Sequence, residues 1–326
     1  MRRAALVVLP ALAAGALSGC GTGDQTAGPG ATSAAGTVSV VASFYPIEFA
    51  VQQIGGSHVS VTSLTKPGAE PHDVELSPKD VAMLSTAGLV VYAKGFQPAV
   101  DTAVDQEGSH QAFDVAPVAN LDLAAPPEEE GGAPSGPTHT DAPDTAGAAG
   151  PAGTKDPHFW LDPQRYAAVA TAIGQRLAQA DPANASSYAQ NTATFTSRLA
   201  ALDGEYRTGL ASCTRKDLVT SHAAFGYLSE RYGFTQVPIA GLSPDVEPSA
   251  AQLAEVADFV KAHGVTTIYA ETLVEPAFAE TLAKSTGATL ATLDPIEGLT
   301  STSAGHDYLE VMRSNLATLK AGQGCS

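Results

Sequence analysis

Apolar positions along the chain fall into short runs and four-residue spacings that take turns with one another. Val38 to Ala42 reads as a strand, Pro46 to Ile54 as a helix, and Val59 to Leu64 as the next strand. Ser77-Pro78 opens a helix with a capping residue and a proline at its first position, and Leu89 to Ala93 is a third strand. Further on, Val169, Ile173 and Leu177 recur at helical spacing until Asp181-Pro182 stops them. Phe195, Leu199, Leu202 and Tyr206 mark a second helix from about Ala183. Strands then return at Leu218–Thr220, around Val237, at Val265–Ala270 and at Ala288–Leu293. Between them lie helices over Ala223–Tyr232, from a Ser249-x-x-Gln252 capping box to His263, and over Pro276–Ser285. A closing helix from His306 to Lys320 carries Tyr308, Val311, Met312 and Leu316 on one face. Such alternation predicts an α/β fold of βαβ units, as two lobes with mainly parallel sheets flanked by helices and a pair of helices between them.

Two stretches depart from this pattern. Met1-Arg2-Arg3, the apolar run Ala4 to Leu17 and the small residues before Cys20 form a secretory signal over 1–19. Leu17-Ser-Gly-Cys20 resembles the bacterial lipoprotein signal, in which that cysteine is lipidated, so the expectation is an exported chain anchored by lipid. Residues 20–37 read as a flexible tether. Residues 124–154 hold no Leu, Ile, Val or aromatic residue and include Glu128-Glu129-Glu130, which predicts a mobile surface loop. The expected division is an N-terminal lobe over 38–160 containing that loop, a linking helix over 161–182 and a C-terminal lobe over 183–326.

Composition narrows the function. The 326 residues carry 17 Lys+Arg against 34 Asp+Glu, a net charge of −17. Non-specific nucleic-acid binding needs a basic surface to displace counterions from phosphates, and this balance speaks against it. No apolar run approaches the ~18 residues of a membrane-spanning helix, so membrane contact is expected through the lipid anchor only. Outside the cytosol the remaining Cys213 and Cys325 are expected to form one disulfide.

Three of the eight histidines have unusual surroundings. His72 lies in the turn-forming Lys66-Pro-Gly-Ala-Glu-Pro-His-Asp73. His158 lies in Asp156-Pro-His-Phe-Trp-Leu-Asp-Pro163 at the entry to a long helix, and His222 just follows the strand ending at Thr220. Ligands of open parallel sheets bind at the carboxyl ends of strands, and imidazole suits zinc. A carboxylate beyond the last strand, Asp294 or Glu297, is a fourth candidate. His58, His110, His263 and His306 fall on turns or helix ends with nothing to distinguish them, and His139 lies in the acidic loop.

The same segments, with Pro238-Ile-Ala-Gly-Leu-Ser-Pro-Asp245 and Leu293-Asp-Pro-Ile-Glu-Gly-Leu-Thr300, strongly resemble zinc-binding receptors of bacterial ABC importers. The resemblance runs from about Val38 to the C-terminus. It implies two α/β lobes bridged by a long rigid helix, with one Zn(II) as transported ligand in the cleft between them. Carried over by position, it implies His72, His158, His222 and Glu297 as ligands, an ABC permease as partner, a monomer and no catalysis. The manganese branch carries a carboxylate where this chain has His222, which favours zinc. Relatives often hold a His-rich loop where this chain is acidic with His139 alone, so no metal-gathering role carries over to 124–154. The rival classes are a manganese receptor, a surface adhesin of the same fold and a zinc hydrolase. A hydrolase needs an open coordination position and a base, and no His-Glu-x-x-His pattern is present.

Overall fold

Leu89-Val-Val-Tyr92 is buried along its whole length, as a strand must be when helices cover both faces of a parallel sheet. The computed structural model describes residues 36–107, 111–125 and 154–326. The expected signal, Cys20, most of the tether, His110, His139 and residues 126–153 lie outside the described residues.

The first half of the described chain comprises β1 (Val38–Ala42), α1 (Tyr45–Gly55), β2 (Val59–Ser63), α2 (Pro78–Thr86), β3 (Leu89–Tyr92), α3 (Pro98–Glu107), β4 (Ala112–Asp114) and α4 (Ala116–Ala119). Two long helices follow, α5 (Pro163–Ala180) and α6 (Ala185–Leu210). The second half is β5 (Asp217–Thr220), α7 (Gly226–Tyr232), β6 (Thr235–Pro238), α8 (Ala250–His263), β7 (Thr267–Ala270), α9 (Ala277–Thr286), β8 (Thr289–Thr292) and α10 (Tyr308–Gln323). Among the described residues there are two 4-stranded sheets, ordered β2-β1-β3-β4 and β6-β5-β7-β8, and all pairs are parallel. In each, the strand order reverses beside the first strand, which opens a crevice at the carboxyl ends of β1 and β3 and of β5 and β7.

Strand alternation sorts the side chains into layers. Val40, Ala42, Leu89 and Val91 face inward, and Val41, Val90 and Tyr92 face α2 and α3 through Leu84, Val100 and Val104. In the second sheet Leu218 and Tyr269 face inward, while Val219, Ile268 and Ala270 meet Val256 and Val260 of α8 and Leu282 of α9. The inward faces share one apolar core with α1, α5, α6 and α10. Helix α6 spans roughly 39 Å at 1.5 Å per residue and lends Phe195, Leu199, Leu202 and Tyr206 to that core. It packs against α1 at one end and α10 towards the other, so the sheets share a long helix as a common support. The Tyr206 hydroxyl donates to the Met312 carbonyl at 2.6 Å, and the Tyr166 hydroxyl to the Pro46 carbonyl at 2.5 Å.

Some sequence expectations shift. Helix α7 begins at Gly226 rather than Ala223, because the preceding turn is held by its own bonds: Thr220 Oγ1 and Gln236 Nε2 both donate to the His222 carbonyl. Ser77 and Asp80 form a full capping box, whereas Ser249 makes only the forward bond, from the Gln252 amide. The expected disulfide joins Cys213, just past α6, to Cys325, just past α10.

Candidate metal centre

Each candidate residue stands beyond an element end that fixes its backbone. Past β2, the Glu70 carboxylate accepts from the backbone amides of His72 at 3.0 Å and Asp73 at 3.1 Å. Gln97 Nε2 donates to the Pro71 carbonyl, closing that turn from the other side. His158 precedes the short turn Phe159–Leu161, and both its backbone amide (2.9 Å) and its Nδ1 (2.7 Å) meet Asp156 Oδ1. His222 lies in the bonded turn after β5. Glu297 follows Ile296, whose φ of 59° is a left-handed conformation that a β-branched residue rarely adopts. Asp294 Oδ1 accepts from the Ile296 amide, and Asn315 bonds both the amide and the carbonyl of Asp294, so the turn is held in place against that strain.

These turns bring four side chains to one point. Glu297 Oε1 lies 3.3 Å from His72 Nε2, 3.1 Å from His158 Nε2 and 3.1 Å from His222 Nε2. The Nε2 atoms of His72 and His158 are 3.3 Å apart. One donor atom from each residue lies within 4.8 Å of all the others. His158, His222 and Glu297 are at most 1% exposed, and only His72, at 8%, edges toward solvent. Asp294, the alternative carboxylate, is buried in the turn and is not among the grouped donors. His58 and His306 also lie apart from the group, and His263 pairs with Asp217 at the end of α8.

An aromatic floor fixes the geometry. The Phe96 ring packs edge-on to His72 at 4.6 Å, and Trp160 lies against His158, Phe44 and Phe96. The Trp160 indole donates to the Pro295 carbonyl at 2.7 Å, tying the turn that carries His158 to the loop that carries Glu297.

The electrostatics are those of a cation site. Burial opposes charge on Glu297, but the three imidazoles around it more than offset that and hold its carboxyl well below the usual range. Burial likewise opposes a charged His158, yet Asp156 and Glu297 raise it above its ordinary value. For His222 the Glu271 and Glu297 carboxylates do the same more strongly. His72 is lowered, chiefly by burial. Glu70 is pushed up to about 7 by burial and the nearby Glu297 charge. Among the described residues Glu297 Oε2 is buried without a donor, and two imidazole nitrogens point at each other beside a carboxylate. Lone pairs in such an arrangement need protons or a cation between them.

Comparison with known proteins agrees with the geometry. Residues 40–322 match the family described as zinc-uptake complex component A, periplasmic. The chain belongs to that family. It is 37% identical over 295 residues to the zinc-binding protein AdcA of Streptococcus pyogenes serotype M6, a match covering 88% of this chain and 56% of that relative. This member of the family thus spans little more than half the length of the streptococcal AdcA relatives it matches. It is 35% identical over 301 residues to the high-affinity zinc uptake system protein ZnuA of Bacillus subtilis, which covers 91% of each. The crystal structure of the Zn(II)-bound ZnuA-like domain of Streptococcus pneumoniae AdcA superposes with a TM-score of 0.70. The two are 34% identical, and the match covers 88% of this chain and 99% of that one.

Besides Glu70, two carboxylates around the site have no role in the sequence reading. Asp156 had a signal, standing beside His158 in the same quoted segment. Glu271, whose Oε2 lies 2.8 Å from His222 Nδ1, follows β7 and has none.

Proposed function

We propose that this chain is an extracytoplasmic receptor that captures Zn(II) through His72, His158, His222 and Glu297 and delivers it to an ABC permease. The observation that carries the reading is the convergence of four buried donor atoms within 4.8 Å of one another. Three imidazole nitrogens and one carboxylate oxygen suit the tetrahedral preference of zinc, while manganese favours more oxygen donors. Asp156 accepts from Nδ1–H of His158, which leaves the Nε2 lone pair for the ion. Four protein donors in a buried cluster close the coordination shell, where a hydrolytic zinc keeps a position open for water. The reading therefore includes capture and release, and no catalysis. Lipidation at Cys20, a signal over 1–19, a tether to residue 37 and action as a monomer complete it. So does a division into lobes over 38–160 and 183–326 joined through 161–182.

The test is metal analysis of protein purified without chelators, then zinc and manganese titrations of the protein and its variants. His72→Ala, His158→Ala and His222→Ala are each expected to weaken zinc binding by more than the ~10–100-fold typical of an outer partner. His263→Ala, half-exposed and paired with Asp217, leaves affinity unchanged. Equal losses from all four variants, or retention of manganese in preference to zinc, overturn the reading.

A further inference from the structure

We propose that Glu271 is a positioning residue of the metal centre, acting on the bound divalent cation through the His222 ring. The proposal rests on His222 being a zinc ligand. Glu271 is the first residue past β7, and His222 stands past β5, the strand beside it, so both occupy the crevice where the strand order reverses. Its side chain is 2% exposed, and its Oε2 lies 2.8 Å from His222 Nδ1, an atom with no other partner among the described residues.

What sets Glu271 apart is that it has no structural work. Asp156 also accepts from the backbone amide of His158, so its loss disturbs a turn as well as a ring. Among the described residues, Glu271 accepts from no backbone group and no lysine or arginine pairs with it. Beyond it lies a small cavity whose wall includes Ile239, Ala240, Pro244 and Phe278, with no lysine or arginine among its described lining residues. Among the described residues the His222 ring is therefore the one group that pairs with this buried carboxylate. With a metal on Nε2 the ring gives up its other proton, Nδ1 keeps the one it donates towards Glu271, and the carboxylate shares the charge of the ion through the ring. The same contact fixes the plane of the imidazole, so Nε2 faces Glu297 and the other two histidines.

Zinc titrations in competition with a chromophoric chelator test this on the full chain, comparing the parent protein with Glu271→Ala, Glu271→Gln and Glu275→Ala. Glu271→Ala is expected to weaken zinc binding ~10–100-fold. Glu271→Gln falls between, because its amide oxygen still accepts from Nδ1–H while the charge is gone. Glu275→Ala, exposed on the rim of the same cavity, matches the parent. Cobalt(II) supplies a readout that a merely structural role would not move: its visible absorption keeps four-coordinate intensity in the Gln variant and loses it in the Ala variant. If the parent binds zinc and both Glu271 variants bind it equally well with unchanged cobalt spectra, the proposal fails. If Glu271→Ala does not fold, Glu271→Gln decides by zinc affinity alone: a loss against the parent supports the proposal and equal affinity overturns it. A parent protein that does not bind zinc overturns the underlying assignment instead.

Discussion

Glu297 and Asp294 share one loop and one chemistry, but their surroundings give them different work. Glu297 puts Oε1 among three imidazoles, whereas Asp294 accepts from the Ile296 amide and helps hold that residue in its left-handed conformation. Glu297→Ala is therefore expected to lower zinc affinity far more than Asp294→Asn, as read by calorimetric titration. The Asn variant keeps an acceptor for the turn and removes a charge that burial disfavours, for the Asp294 carboxyl is pushed up to about 6. A carboxyl raised on folding contributes most stability below its unfolded value near 4 and loses it as pH rises through 6. In zinc-free protein the Asn variant should gain stability over the parent between those values, and urea midpoints at pH 4 and 7 measure the gain. The three histidines are legible in sequence because a Pro/Gly-rich turn or a strand end must place them at one edge of a sheet. Glu271 is not, since it meets His222 only after β5 and β7 pair side by side.

Elements were legible where an apolar stripe was long enough to declare its period. Helices α5 and α6 repeat theirs over many turns, and β1 and β3 are nearly continuous runs of Val and Leu. Strand β4 is only Ala-Phe-Asp, too short to alternate, and becomes a strand because β3 offers it a free edge. Helix α3 buries Val100, Ala103 and Val104 alone and also goes unread. The pairing of α5 with α6 depends on one small residue: a Cβ at Gly174 would lie 2.2 Å from Thr192 Oγ1, which is itself bonded to the Tyr188 carbonyl. Gly204, in the last third of α6, is exposed and has open space around it. Helix propensity alone would make both Gly→Ala changes stabilising by up to ~1 kcal/mol. Gly204→Ala is expected to show that gain. Gly174→Ala should instead destabilise by ~1–2 kcal/mol, because overpacking at the helix contact exceeds it. Urea midpoints of the two variants with unchanged slopes check the pair.

At the scale of the whole molecule, the net charge of −17 is unevenly placed along the chain. Residues 126–153 contain Glu128, Glu129, Glu130, Asp141 and Asp144 and no lysine or arginine. The chain leaves and re-enters the described structure at a pinned stem: Ala124 and Lys155 form an antiparallel bridge, and the Ala125 amide donates to the Thr154 carbonyl at 3.0 Å. Ala125 packs with Ala223 and Leu242, and Ala223 is the neighbour of His222, so the stem stands close to the metal centre. Because the stem ends already face each other in antiparallel pairing, an Asn-Gly turn can replace 126–153 without straining the backbone. That deletion is expected to leave the melting curve and the zinc affinity at ~0.15 M salt almost unchanged. What should fall is the association rate at ~0.01 M salt, where the screening length is ~30 Å and tethered negative charge still draws a cation toward the cleft. Stopped-flow zinc uptake across a salt series separates the cases. Convergence of the two rates as salt rises supports steering by the segment, equal rates at every salt concentration remove it, and a deletion that unfolds the first sheet would make the segment part of the fold.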